Sequence, residues 1–229
     1  MPNHTVKPGE HLAQIALDYG FTNFKHIFDL GENAELKAKR KTPHILAPGD
    51  KVWIPEPEPK VDESAATEQL HTYKVTWDKL KLRLVLRDQN DKPVKGQECA
   101  LALDSLPVEL KTDGAGLIER EIPHHALEAH ITARNDELAM DLDATLHIGG
   151  LDPVDTITGQ IGRLNNLGYD AGDPAAPPGA LPPPDKPPDP DATLRFRSAA
   201  EEFQCDHGLS VDGKCGPNTQ SKLKEVHGC

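Results

Sequence analysis

Apolar positions in the first 55 residues fall into short blocks of differing period. His4-Thr5-Val6-Lys7-Pro8-Gly9-Glu10 reads as a strand running into a tight turn. Leu12, Ile15, Ala16 and Tyr19 recur at helical spacing, and Gly20 stops that helix. Phe24, Ile27, Phe28 and Leu30 predict a second helix, and Leu46 to Pro55 predicts a turn and then a strand able to pair beside the first. Between them, Lys37-Ala38-Lys39-Arg40-Lys41 reads as a solvated loop or a contact for an acidic partner.

The period changes after a Pro/Glu-rich linker over 56–70, whose composition keeps it extended and self-repelling. From Lys79 to Arg87, leucines at 80, 82, 84 and 86 alternate with mostly basic residues, the pattern of a half-buried strand. Asp88 to Pro93 is a turn, Cys99 to Leu103 a strand, and Thr112 to Gly116 a glycine-bearing turn before a strand over Leu117 to Pro123. Further strands are expected near 129–134 and 138–147, and the set predicts an antiparallel β-sandwich over 71–149.

Helical spacing returns in the last part, 150–229. Ile157, Ile161, Leu164 and Leu167 mark one helix ended by Gly168. Leu194, Ala199 and Phe203 mark another, ended around His207-Gly208. A glycine-punctuated loop over Val211 to Thr219 leads to a short final helix over 221–226. Half of the residues from Asp173 to Pro190 are proline, which predicts an extended, semi-rigid insert: a tether, or a ligand for a partner's aromatic groove. The expected fold class is therefore multidomain α+β.

Composition narrows the functions. The 229 residues carry 37 acidic and 25 basic side chains, a formal charge of −12, and no basic stripe offsets it. Nucleic acid and anionic membrane are excluded as expected partners. No apolar run is long enough to span a bilayer, and the start Met1-Pro2-Asn3-His4 is unlike a secretory leader. The expectation is a chain that stays cytoplasmic until exported by a signal-independent route. Among Cys99, Cys205, Cys215 and Cys229, the pair Cys205 and Cys215 is the most plausible disulfide, with free thiols as the alternative in a reducing compartment. Cysteine spacing does not suit a zinc site, His124, His125 and His130 read as an exposed turn and its surroundings, and neither metal nor cofactor is expected.

The string "TVKPGEHLAQIALDYG…N…LAPGDKVWIP" closely resembles the LysM module, a βααβ unit known for binding N-acetylglucosamine-containing glycans such as peptidoglycan. The string "RLNNLGYD…AAEEFQCDHGLSVDGKCGPNTQSKL" resembles the small three-helix peptidoglycan-binding domain that accompanies many cell-wall hydrolases. One of that family's two "DG..GP.T" turns is missing, replaced by the proline-rich insert 173–190. The turns "DQNDKPVKGQ" and "KTDGAGLIEREIP" are similar to those of prealbumin-like or carboxypeptidase-regulatory-like sandwiches, usually spacers.

The first resemblance implies a shallow glycan groove with Gly9, Glu10, His11 and Leu12 on one wall and Ile45, Leu46, Ala47 and Pro48 on the other. Leu12 and Leu46 also read simply as core. His11 stands where the family usually has Ser or Thr. The second resemblance adds Asp212, Gly213, Gly216 and Thr219 as glycan-side positions. No G-x-S-x-G, H-E-x-x-H or Cys-His motif is present, and Glu10 with Asp50 is a poor carboxylate pair without a deep cleft. The expectation is a non-catalytic peptidoglycan-binding protein associated with a bacterial secretion or injection apparatus. The alternative is a structural adaptor of a contractile injection system, of the type VI secretion spike or phage-tail kind, binding a spike, tube or effector protein.

Overall fold

The computed structural model describes residues 3–57, 67–72, 74, 80–88, 90, 92–103, 106–138, 140–175, 177–179 and 190–228. Most of the Pro/Glu linker, eleven residues of the proline-rich insert (176 and 180–189) and Cys229 lie outside the described residues. Helices and antiparallel sheets make up an α+β chain. It divides into two compact units: Met1–Val6, Glu10–His44 and Gly49–Gly150 form one, and Lys7–Gly9, Ile45–Pro48 and Leu151–Cys229 the other.

The first unit opens with β1 (Asn3–Thr5), α1 (Leu12–Asp18), α2 (Phe24–Phe28), a short 3-10 turn (Gly31–Asn33), α3 (Ala34–Arg40) and β2 (Lys51–Trp53). The strands pair antiparallel with His4 opposite Val52. Backbone bonds extend the ribbon past them, from Val6 N–H to the Asp50 carbonyl (2.9 Å) and from Gly49 N–H to the Val6 carbonyl (2.8 Å). Leu12, Ile15 and Ala16 of α1 and Phe24, Ile27 and Phe28 of α2 are buried, as their spacing requires.

The basic cluster is not a loop. Its first four residues are the last turn of α3, and Lys41 closes that helix in a left-handed conformation. Helical lysine and arginine belong at this end, where backbone carbonyls are unpaired. Arg40 Nη2 lies 2.9 Å and Lys39 Nζ 3.0 Å from the buried Asp50 carboxylate, so the acidic partner of the cluster is internal. Asn33, also buried, ties the ribbon to the helices: its amide donates to the carbonyls of Ile27 (2.8 Å) and Trp53 (2.9 Å) and accepts from Trp53 N–H (2.8 Å).

The rest of this unit is β. β3 (Leu80–Val85) pairs antiparallel with β6 (Leu117–Ile122), and a second antiparallel sheet has the order β5-β4-β7-β8, from Val108–Lys111, Glu98–Ala102, Glu128–Asn135 and Met140–His147. The two sheets share one core: Cys99, Leu101, Ala129, Ile131 and Ala133 from one, Ile118, Leu82 and Leu84 from the other. The leucine alternation thus meets its expectation, with Lys81 and Arg83 outward beside Glu119. Strand β5 was not foreseen; Pro107 precedes it and only four residues extend. Buried Gln97 anchors the sheet ends, its amide donating to the carbonyls of Glu98 (2.8 Å) and Arg134 (2.9 Å).

In the second unit, α4 (Ile157–Asn166) packs on α5 (Ala192–Asp206) and α6 (Pro217–His227). Val154, Ile161, Leu164, Ala199, Phe203 and Leu223 form the core. Two expected apolar positions, Ile157 and Leu194, are exposed, because each stands in the first turn of its helix. The last helix starts four residues earlier than its apolar spacing suggests, at Pro217, which fits a first helical position. Helices α4 and α5 end alike: Tyr169 N–H reaches back to the Leu164 carbonyl (3.0 Å) and Leu209 N–H to that of Gln204 (2.8 Å). Gly168 and Gly208 take the positive φ that this closure needs.

Replacing Arg40 by alanine removes the main partner of a buried carboxylate and is expected to cost about 3–5 kcal/mol in urea unfolding. Lys39→Ala, on an exposed side chain of the same site, is expected to cost under ~1 kcal/mol.

Candidate glycan-binding site

The predicted amino-terminal walls fall in both compact units, Gly9 and Ile45–Pro48 in the second and Glu10, His11 and Leu12 in the first. Gly9 and Pro48 are exposed, while Glu10 and Ile45 are half-buried. His11, Leu12, Leu46 and Ala47 are buried. Leu12 therefore does the work of a core residue, and His11 that of a helix cap, accepting from Gln14 N–H through Nδ1. Glu10 is held by His4 Nε2 at 2.7 Å, and Asp50 by Arg40 and Lys39, so each carboxylate is engaged with a cation or imidazole.

The carboxy-terminal residues come together around one side chain that sequence reasoning had not singled out. Gln204 lies on the inner face of α5, buried next to Phe203. Its Oε1 accepts from the backbone N–H groups of Asp212 (2.9 Å) and Gly213 (3.0 Å). Its Nε2 donates to Asp212 Oδ1 (2.9 Å), the Lys214 carbonyl (2.9 Å) and Thr219 Oγ1 (3.1 Å). Asp212 Oδ1 also accepts from Lys214 N–H at 2.9 Å. Gln204 and the Lys214 N–H hold the Asp212 carboxyl below the usual carboxylate range.

Two of the four predicted positions here have structural employment: Thr219 is buried against Gln204, and Gly213 is buried where a Cβ would meet Arg197 Cγ at 2.6 Å. Gly216 is half-buried and precedes the first residue of α6. Asp212 is exposed.

Asp212 and Gly213 nevertheless line an open depression of about 480 Å³ with Thr193, Phe196, Arg197 and Lys214. Phe196 supplies a half-buried aromatic surface. Arg197 is oriented by Glu201 at 2.8 Å, and Lys214 and Asp212 add charges of both signs. Such a surface can stack on a sugar face and hydrogen-bond hydroxyl, amide and carboxylate groups. Phe196 was legible in principle, since it stands seven residues before Phe203 on the same helix face.

Cys205 and Cys215 are both free thiols. Cys205 is exposed on α5, whereas Cys215 packs against the helical core. Burial, and then the neighbouring Asp212 charge, push the Cys215 thiol up to about 11.

Comparison with models of known protein families, with curated proteins and with solved structures finds no match to this chain.

Two outcomes follow from the Gln204 hub. Gln204→Leu leaves buried donors without an acceptor and is expected to cost about 1–3 kcal/mol. With iodoacetamide at pH 8 and peptide mapping, Cys215 is expected to be alkylated at least about tenfold more slowly than Cys205. The Gln204→Leu loop should lose that protection.

Proposed function

We propose that the chain is a non-catalytic binder of peptidoglycan, reading its N-acetylglucosamine-containing glycan, and that it works with a bacterial secretion or injection apparatus. The observation that carries the reading is the depression beside Phe196, Asp212 and Gly213, which combines an aromatic face with polar groups of both charge signs. Further support comes from the resemblance of the amino-terminal segment to LysM and of the carboxy-terminal helices to the three-helix peptidoglycan-binding domain. The ribbon β1–β2 flanking α1 and α2 agrees with the first of these, with α3 as an addition. The segment between them, with its two sheets on one core, serves as a prealbumin-like spacer.

A second reading is favoured by a separate observation. His11, Leu12, Leu46 and Ala47, expected along a sugar groove, are buried. On this reading the amino-terminal segment is a protein-binding adaptor of a contractile injection system, contacting a spike, tube or effector protein and not sugar.

Co-sedimentation of the full chain with purified sacculi tests the first reading. The chain should pellet with sacculi without solubilising them. Phe196→Ala should weaken binding about tenfold, or ~1.4 kcal/mol, through loss of the aromatic face. The exposed Thr193→Glu should weaken it similarly with unchanged thermal stability. Equal retention of all three proteins would remove the depression as the reader, and no retention of the wild type would leave the adaptor reading.

A further inference from the structure

Histidines from separate segments of the first unit act on His11, a buried side chain whose ring nitrogen Nε2 has no hydrogen-bond partner among the described residues. His11, just before α1, is 4 % exposed. Its Nδ1 accepts the Gln14 N–H at 3.3 Å, which places the proton of the neutral ring on Nε2. That Nε2 is sealed from solvent and finds no hydrogen-bond partner among the described residues. The end of β8 lies against the ring: a Cβ on Gly149 would come within 2.3 Å of His11 Cδ2 and 3.0 Å of Cγ. Gly149, at φ +80°, is therefore the residue that lets the backbone approach the imidazole so closely.

Two further histidines act on this ring, and each becomes cationic in acid. From the segment before β2 comes His44, whose own neighbour is Lys25 of α2 and whose ring meets Phe24 edge-on at 5.6 Å. From the turn between β6 and β7 comes His124, stacked edge-on with His125 at 5.8 Å. Glu10, next to His11 in sequence, bonds to His4 at 2.7 Å, and His147 of β8 meets Glu128 at 3.4 Å. Burial, then His44, then His124 keep the His11 imidazole less basic than usual.

We propose that His11 is an acid-sensitive latch between the start of α1 and the end of β8, closed when neutral and opened by protonation. A second proton on the ring must sit on Nδ1, where it displaces the Gln14 N–H and removes the cap of α1. It also places a cation in a sealed site facing His44 and His124. The direction follows from linkage: a histidine less basic folded than unfolded contributes its full stability above about pH 6.5, the unfolded value, and loses it as pH falls through the folded value. The latch does not depend on glycan binding, so its failure would leave the proposed function untouched.

Hydrogen exchange of the full chain, corrected for the intrinsic pH dependence, tests it between pH 7.5 and 5. The amides of 12–16 and 148–150 should exchange about tenfold faster at pH 5 than at pH 7.5, while the amides of β4 and β7 stay unchanged. His11→Asn, which keeps a capping oxygen and cannot titrate, should remove that acceleration. The pair His44→Gln and His124→Gln, which leaves the latch itself intact, removes the charges that oppose protonated His11 and should reduce the acceleration at pH 5. The proposal is overturned if the wild type shows no local acceleration, if His11→Asn keeps it, or if the double variant accelerates as much as the wild type. Should His11→Asn fail to fold, the double variant decides alone.

Discussion

A buried side-chain amide or charge has to fill its hydrogen bonds, and in modules this small that requirement decides where the loops go. A thin core supplies little surplus stability, so an orphaned polar group is a large fraction of what is available. Four buried side chains meet the requirement in the same way, whereas His11 Nε2 and Gln14 Oε1 are exceptions among the described residues. Asn33 joins the amino-terminal ribbon to the end of α2 through Ile27 and Trp53. Gln97 joins the sheet ends through Glu98 and Arg134, and its N–H donates to buried Thr112 at 2.8 Å. Gln204 fastens the loop 212–214 and Thr219 to α5. Arg163, equally buried, donates from Nη1 to the carbonyls of Asp152 (2.8 Å) and Gly159 (2.7 Å) at the start of α4.

This division of labour separates residues that shape the carboxy-terminal depression from residues that face it. Thr219 and Gly213 belong to the turn "VDG..GP.T", and their contacts explain that turn without any ligand. Asp212 belongs to both sets, because one of its oxygens holds the loop while the side chain stays exposed beside Phe196. The same separation applies at the other end of the chain. Asp50 and Glu10, a poor carboxylate pair in the sequence, are engaged by Arg40 with Lys39 and by His4 respectively.

Elements with a strong apolar period were legible from sequence. The leucines of β3, the buried face of α1 and the core positions Ile161, Leu164 and Phe203 lie as their spacing indicates. Helix α3 was missed because it buries only Leu36 and carries charges on the rest of its surface, so no apolar period marks it. Strand β5 was missed because four residues give too few alternations to register. Leu194 and Ile157 misled for the opposite reason: periodicity assigns a face but cannot tell that a first turn extends past the core.

At the site, the glycine-rich turn was legible but its organiser was not. Gln204 is a polar residue on an apolar helix face, and only the loop folded onto it explains its placement. The depression is also lined by Thr193 and Phe196, which belong to a different segment of the sequence from the turn they stand beside. The proposed function requires that the chain hold a glycan and leave it intact. Titration of the isotope-labelled full chain with soluble muropeptides, following its amide resonances and the integrity of the sugar, decides between these outcomes. Saturable shifts at 193–197 and 212–214 with the muropeptides recovered unchanged are expected; cleaved sugar, or no shift at any amide, would overturn the proposed function.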